Sequence, residues 1–220
     1  MVAEFIRLPV TIDEIESRVH IVPGPEEVHR ALREGRGIIF IISHFGNWEL
    51  LAHRGLRECE HRIASVARPL KNPLIYREIE RLRCLNGAVV LRKKWVAKEI
   101  IGKIKDNWCV AILMDQYSGR NAPFVPFFGR PVSTTPAVAL IAMKTGAAVI
   151  PIFNVRRRFG YLSLNVCDPV EIARTGDKEK DIRENCARFN RVIEEWVRRF
   201  PDQWMWMHRR WRRKKGPEEP

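Results

Sequence analysis

No apolar run in this sequence approaches the roughly 18–20 residues needed to span a bilayer. Its start, MVAEFIRLPV, also lacks the basic stretch and long apolar core of a signal peptide. Any membrane contact is therefore expected to be peripheral. Cysteine supplies no framework: Cys59, Cys84, Cys109, Cys167 and Cys186 are scattered, odd in number and never spaced C-x-x-C. That pattern speaks for reduced thiols and against a disulfide scaffold or a zinc site. Acid is in short supply, with 26 Asp plus Glu against 39 Lys plus Arg and a net charge of +13. A surface of that sign favours an anionic partner: nucleic acid, an anionic membrane, a phosphorylated substrate or an acidic carrier protein. Internal repeats and low-complexity tracts are absent, and no linker exceeds the loop at 117–134.

What is present is the composition of a globular chain. Its 220 residues, 45% hydrophobic and 30% charged, fit one large domain with a full core. Short apolar runs at Gly37–Ile42, Arg62–Ala67, Ala88–Leu91, Cys109–Met114, Ala148–Asn154 and Tyr161–Val166 read as strands. Amphipathic segments near 25–34, 48–58, 73–86, 94–107, 135–145 and 178–199 read as helices. Gly35-Arg36-Gly37 and Gly146 stand where helix C-caps are wanted, and Thr134-Thr135-Pro136 supplies a hydroxyl cap followed by proline. The alternation predicts a single α/β domain, with a mostly parallel central sheet and helices on both faces.

In such sheets ligands collect beyond the carboxyl ends of the strands. Three polar clusters fall there: Ser43-His44 after the first run, Arg68 after the second and Asp115-Gln116 after the fourth. A lone histidine at a strand end is commonly just a hydrogen-bonded structural residue. The stretch SHFGNWEL changes its meaning. Gly46 permits a sharp turn and close backbone approach to a ligand, Asn47 is placed to cap a helix beginning at Trp48, and Glu49 sits in that helix's first turn. A carboxylate on one imidazole nitrogen fixes the tautomer, which frees the other nitrogen to take a proton from a hydroxyl. His44 with Glu49 thus reads as a general base and its orienting partner. Ser43 lacks a G-x-S-x-G elbow and is not read as an acyl-enzyme serine. Backbone N–H groups of Phe45–Asn47 at the helix start are the expected oxyanion donors.

SHFGNWEL resembles the H-x4-E form of the H-x4-D/E motif of the glycerolipid and lipid A acyltransferase superfamily, and in particular the lipid A biosynthesis lauroyl/myristoyl acyltransferases. The similarity continues in order through VARPLKNPL at 66–74, LMDQYSGRNAPFVPFFGRPVSTTPAVALIAMKTGAAVIPIF at 113–153 and FPDQWMWMHRRWRR at 200–213. The resemblance implies transfer of a fatty acyl group from an acyl carrier protein or coenzyme A thioester to a hydroxyl of a lipid acceptor. A lipid A precursor is the foremost such acceptor, and a lysophospholipid or another glycolipid is the alternative. The implied location is the cytoplasmic face of a bacterial inner membrane, with an anionic membrane surface as a further partner. Neither a metal nor any other cofactor is implied.

Carried onto this sequence, His44 is the base and Glu49 its partner. Arg68, in the R-P-x-x-N-P block, matches an acceptor-phosphate ligand, Arg83 is a second candidate for that task, and Asp115 of the D-Q block lines the same cleft. Members of the family usually carry an amino-terminal membrane helix before this motif, whereas His44 here follows only 43 residues and no apolar span.

Each residue also has a plainer role open to it. Arg68 can pair with a surface carboxylate, Asp115 can cap a turn with Gly119, and Phe124–Gly129 can close over the core instead of lining an acyl pocket. WMWMHRRWRRKK at 204–215 holds six Lys or Arg, no acid and three tryptophans. That mixture suits a membrane interface or single-stranded nucleic acid, or tryptophans packed on the domain beneath solvated arginines. A basic membrane- or nucleic-acid-binding module without catalysis is the non-enzymatic alternative.

Overall fold

The computed structural model describes residues 2–22, 26–60, 62–92 and 96–212. Nine strands occur among them: β1 (Val19–Val22), β2 (Ile38–Ile42), β3 (Ile63–Ala67), β4 (Val89–Arg92), β5 (Cys109–Leu113), β6 (Phe124–Phe127), β7 (Arg130–Ser133), β8 (Ala148–Arg156) and β9 (Leu162–Val166). The helices are α1 (Val2–Ile6), α2 (Leu8–Thr11), α3 (Ile15–Arg18), α4 (Glu26–Arg33), α5 (Leu51–Gly55), α6 (Pro73–Arg83), α7 (Val96–Lys105), α8 (Ala137–Thr145) and α9 (Lys178–Arg199).

Seven strands form one sheet in the order β1-β9-β8-β2-β5-β3-β4. The five from β8 to β4 are parallel, while β9 runs antiparallel to β8 and β1 parallel to β9. The expected α/β domain with a mostly parallel sheet is therefore what the chain forms.

β2 shows why the sheet lies inside. All five residues of IIFII are buried, and they alternate between two cores. Ile39 and Ile41 join Val110, Ile112, Val149 and the α8–α9 side, whereas Ile38, Phe40 and Ile42 join Ala111, Ile150 and the amino-terminal helices. A strand with no solvated face belongs in the middle of a parallel sheet covered on both sides.

Helix ends follow their capping residues. Asn72 accepts from the backbone N–H of Leu74 and Ile75 at the start of α6, with Pro73 at its first position. Thr135 Oγ1 accepts from Ala137 N at the start of α8, and Gly146 ends that helix at φ +78°.

Four features differ from expectation. The helix near 48–58 is a 3-10 turn at Trp48–Leu50 followed by the five residues of α5, and Asn47 makes no capping bond to it. Asn47 instead donates to Glu4, and its carbonyl accepts from Asn154 Nδ2 at 2.7 Å. β1 was not expected, and the loop at 117–134 contains the β6–β7 hairpin. Residue 25 and residues 94–95, assigned to helices from sequence, lie outside the described residues.

Candidate active site

β2, β3 and β5 end at the same edge of the sheet, and the polar clusters that follow them gather there. The register pairs Ile42 with Leu113, and Met114 N then donates to Ile42 O at 3.0 Å. Two residues further along each chain, His44 faces Asp115. The Nδ1 nitrogen of His44 lies 2.8 Å from Asp115 Oδ1, and the His44 backbone N–H donates to Oδ2 at 2.7 Å. Trp204 Nε1 adds a third bond to Oδ2 at 2.9 Å. Asp115 is fully buried, and burial by itself pushes its carboxyl up. The hydrogen bonds and charge of His44, together with the Trp204 indole, outweigh that and hold it below the usual carboxylate range.

An ionised carboxylate only accepts hydrogen bonds, so Nδ1 carries a proton, and in the neutral ring Nε2 is the nitrogen with the lone pair. Nε2 receives the side chain of Gln116 at 3.2 Å. The imidazole is wedged edge-on between Trp48, at a centroid distance of 4.7 Å, and His208, at 4.3 Å. Burial and the neighbouring His44 both lower the pKa of His208, which favours its neutral form. The arrangement is a fixed imidazole, one nitrogen anchored and the other turned toward exposed Gln116.

This corrects two assignments. Glu49 is not the partner of His44. Its carboxylate is gripped by Arg83, with Nε to Oε2 at 2.8 Å and Nη2 to Oε1 at 2.6 Å. A 3-10 turn in place of a helical turn at 48–50, combined with the reach of α6, sends the carboxylate to the guanidinium and leaves Nδ1 to Asp115. Asp115, expected to bind substrate, is instead the residue that holds the His44 imidazole. Burial works to lower the Arg83 pKa, but the Glu49 carboxylate more than reverses it, so Arg83 is a firm cation with one edge already committed. Arg68 is exposed and makes no hydrogen bond or ion pair among the described residues.

Gly46, at φ +56°, approaches another backbone and not a ligand: a Cβ there would lie 1.8 Å from the Asn154 carbonyl oxygen. Two of the three expected oxyanion donors are spent. Phe45 N donates to Ser43 O at 2.7 Å, Gly46 N to Gln203 O at 2.8 Å, and Asn47 is fully buried.

The carboxyl-terminal WMWMHRR, read from sequence as a surface feature or as packing, is a strap over the site. Met205 N donates to His44 O, Phe45 bridges to Trp204, and Trp204 is 3% exposed. Arg210 has no exposed surface. It donates to Gln116 O, Ser133 O, Thr134 Oγ1 and Asn190 Oδ1, while its ring-facing side rests over Phe127. Phe127 is likewise fully buried against Trp204 and Trp211, so this part of the Phe124–Gly129 segment closes over the core. Trp206 and Met207 remain exposed, and residues 213–215 of the basic run lie outside the described residues.

The chain is thus a mostly parallel α/β domain with a carboxylate-anchored imidazole at the ends of its strands. The chain belongs to the bacterial lipid A biosynthesis acyltransferase family, which residues 1–213 match. It is 27% identical over 194 residues to a lipid A biosynthesis palmitoleoyltransferase and 31% identical over 196 residues to a lipid A biosynthesis lauroyltransferase, both of Escherichia coli strain K12. Each comparison covers 87% of this chain, which spans 61% of the relative's length. A phosphatidylinositol mannoside acyltransferase of Mycobacterium tuberculosis is 26% identical over 135 residues, covering 60% of this chain and 42% of that protein.

Proposed function

We propose that this chain transfers a fatty acyl group from an acyl carrier protein or coenzyme A thioester to a hydroxyl of a lipid A precursor. His44 is the general base and Asp115 its anchor. The observation that carries this reading is the Nδ1–Asp115 bond with Nε2 against the exposed Gln116 side chain, in a chain belonging to this family. A thioester is already activated, so the acceptor hydroxyl needs a base, correct placement and a donor for the developing oxyanion. Nε2 takes the hydroxyl proton as its oxygen attacks, and the same nitrogen returns it to the departing thiolate. Buried Asp115 stabilises the imidazolium in between. Arg68, exposed beside this edge, is the ligand we assign to acceptor phosphate, with the uncommitted edge of Arg83 as a second contact.

The reaction belongs at the cytoplasmic face of a bacterial inner membrane. No helix among the described residues is long and apolar enough to cross a membrane. The edge that carries His44 nevertheless exposes Leu70, Leu74, Ile75, Trp206 and Met207, with exposed Arg68, Lys71 and Arg209 among them. Apolar side chains and cations on one rim support a peripheral hold on anionic lipid.

The test is incubation with radiolabelled acyl-carrier protein, and in parallel acyl-coenzyme A, against a panel of acceptors followed by chromatography. The expected result is a labelled lipid A species that vanishes with His44→Ala. Label on a lysophospholipid or a mannosylated phosphatidylinositol alone would reassign the acceptor. Absence of label from every lipid would sink acyl transfer.

A further inference from the structure

The attacking hydroxyl has a base, but its oxyanion has no obvious donor. The N–H groups of Phe45 and Gly46 are bonded inward, and the turn beginning at Trp48 is too short to offer a helix terminus. Three other donors nearby are engaged, whereas Ser43 Oγ, His208 Nε2 and Arg210 Nε are buried without a partner among the described residues and do not bond to His44 Nε2. Trp204 Nε1 serves Asp115, Trp206 Nε1 serves Pro201 O, and Arg210 is shared among four acceptors.

Gln116 is placed differently. It stands one residue beyond Asp115 on an exposed loop, and its backbone carbonyl is pinned by Arg210 Nη1 at 3.0 Å. Its side chain makes one hydrogen bond among the described residues, the 3.2 Å contact with His44 Nε2. Because Nε2 presents a lone pair, the group bonded to it is the amide –NH₂ and not the amide oxygen. That –NH₂ occupies the spot a reacting hydroxyl must take, about 2.6–3.2 Å from the base nitrogen. An entering hydroxyl displaces it, while the pinned backbone keeps it beside the reacting atoms.

We propose that the Gln116 side-chain amide is the oxyanion donor of the acyl transfer, a catalytic residue parked on the base until the acceptor arrives. The inference rests on the acyl-transfer reading above. As the hydroxyl oxygen bonds to the thioester carbon, its proton passes to Nε2 and the carbonyl π pair moves onto oxygen. That oxyanion forms one carbon away from the attacking oxygen, within reach of the displaced –NH₂. Collapse re-forms the carbonyl and breaks the C–S bond, and the thiolate recovers the proton from His44.

The experiment compares wild type with Gln116→Ala and with Gln116→Glu, which keeps the shape and loses the N–H. Steady-state acyl transfer is measured across pH, with thermal unfolding as the check on folding. Loss of one such donor typically costs about 10²–10³ in kcat. Both variants should show that loss at wild-type Tm, with KM for donor and acceptor changed by less than about threefold. The kcat–pH profile of Gln116→Ala should keep its shape, because the amide acts on the charge of the substrate and not on the base, whereas the carboxylate of Gln116→Glu beside Nε2 should move the profile to higher pH. A near-wild-type kcat overturns the proposal. So does a loss in Gln116→Ala confined to one limb of the profile, which marks a residue that only steadies the imidazole. A wild-type chain inactive with every donor and acceptor overturns the acyl-transfer reading and the role of Gln116 with it.

Discussion

Glu49 and Arg83 face each other through two parallel hydrogen bonds of 2.6 and 2.8 Å, and this fork removes from His44 the carboxylate nearest to it in sequence. The pair ties the turn after β2 to the last turn of α6, which makes Glu49 a brace for the site and Asp115 its electrostatic partner. The two carboxylates should therefore fail differently. Asp115→Asn takes away the charge that fixes the tautomer and stabilises the imidazolium, and should lower kcat by about 10³–10⁴ with the fold retained. Glu49→Gln leaves Arg83 half-buried and poorly matched, and should cost about 1–3 kcal/mol of stability with a smaller loss of kcat. Urea unfolding beside steady-state kinetics on both variants checks this. Equal kinetic losses would contradict the division of labour.

Asp115 also sets a pH dependence. Its folded pKa is held below the ordinary value, so its contribution to stability is present above the unfolded pKa of about 3.9 and is lost as pH falls through the folded value. The unfolded chain takes up the proton first. Wild type should lose stability on acidification below about pH 4–5, and Asp115→Asn should start lower at neutral pH and fall less steeply. Urea midpoints measured from pH 7 to pH 3 decide it, and parallel curves would mean that this carboxylate contributes no linkage.

Arg210 is a cation held by four neutral acceptors, and burial pushes its pKa down to about 10. An ammonium has three donors on a compact head and does not span the same acceptors. Arg210→Lys should leave at least one buried acceptor unpaired, costing about 1–3 kcal/mol or roughly 2–12 °C in Tm. The strap that presents Trp204 to Asp115 should loosen with it. Calorimetry and limited proteolysis near residues 201–212 check both parts, and an unchanged Tm would show that the guanidinium contributes little.

The parallel core strands were legible because IIFII and CVAIL leave no solvated face. The reversal of β9 was not among the expectations, although spacing requires it. The short stretch from Arg157 to Tyr161 between β8 and β9 is too brief for the dozen or more residues that a parallel crossover requires. SHFGNWEL singled out the imidazole that stands at the strand ends, but not the carboxylate that anchors it. Glu49 is five residues from His44 and Asp115 is 71, and only the adjacency of β2 and β5 in the sheet brings the distant carboxylate to Nδ1. Strand order is a tertiary outcome that periodicity does not encode. The tail was half legible for a related reason: packed tryptophans were among its readings, but its arginines look solvated until four acceptors from three separate segments are found around buried Arg210.

Gly46 ties these levels together. Its φ of +56° is one that side-chain-bearing residues seldom adopt, and a Cβ would fall 1.8 Å from Asn154 O, well inside van der Waals contact. The obstacle is backbone in the central strand β8, which has no flexible end to swing aside. Gly46→Ala must therefore displace either the strand or the turn. The turn is the weaker element, since Gly46 N is held by Gln203 O and Asn47 O by Asn154 Nδ2. Strain at such a position costs about 1–3 kcal/mol before the clash is counted, so a total of at least about 3 kcal/mol is expected. Because the same turn carries His44, a shift of about 1 Å should also reduce kcat by about 10²-fold in whatever fraction stays folded. Equilibrium unfolding and kinetics at 10 °C separate the two effects. A stable variant with full activity would show that the contact between Gly46 and Asn154 does not govern where the base sits.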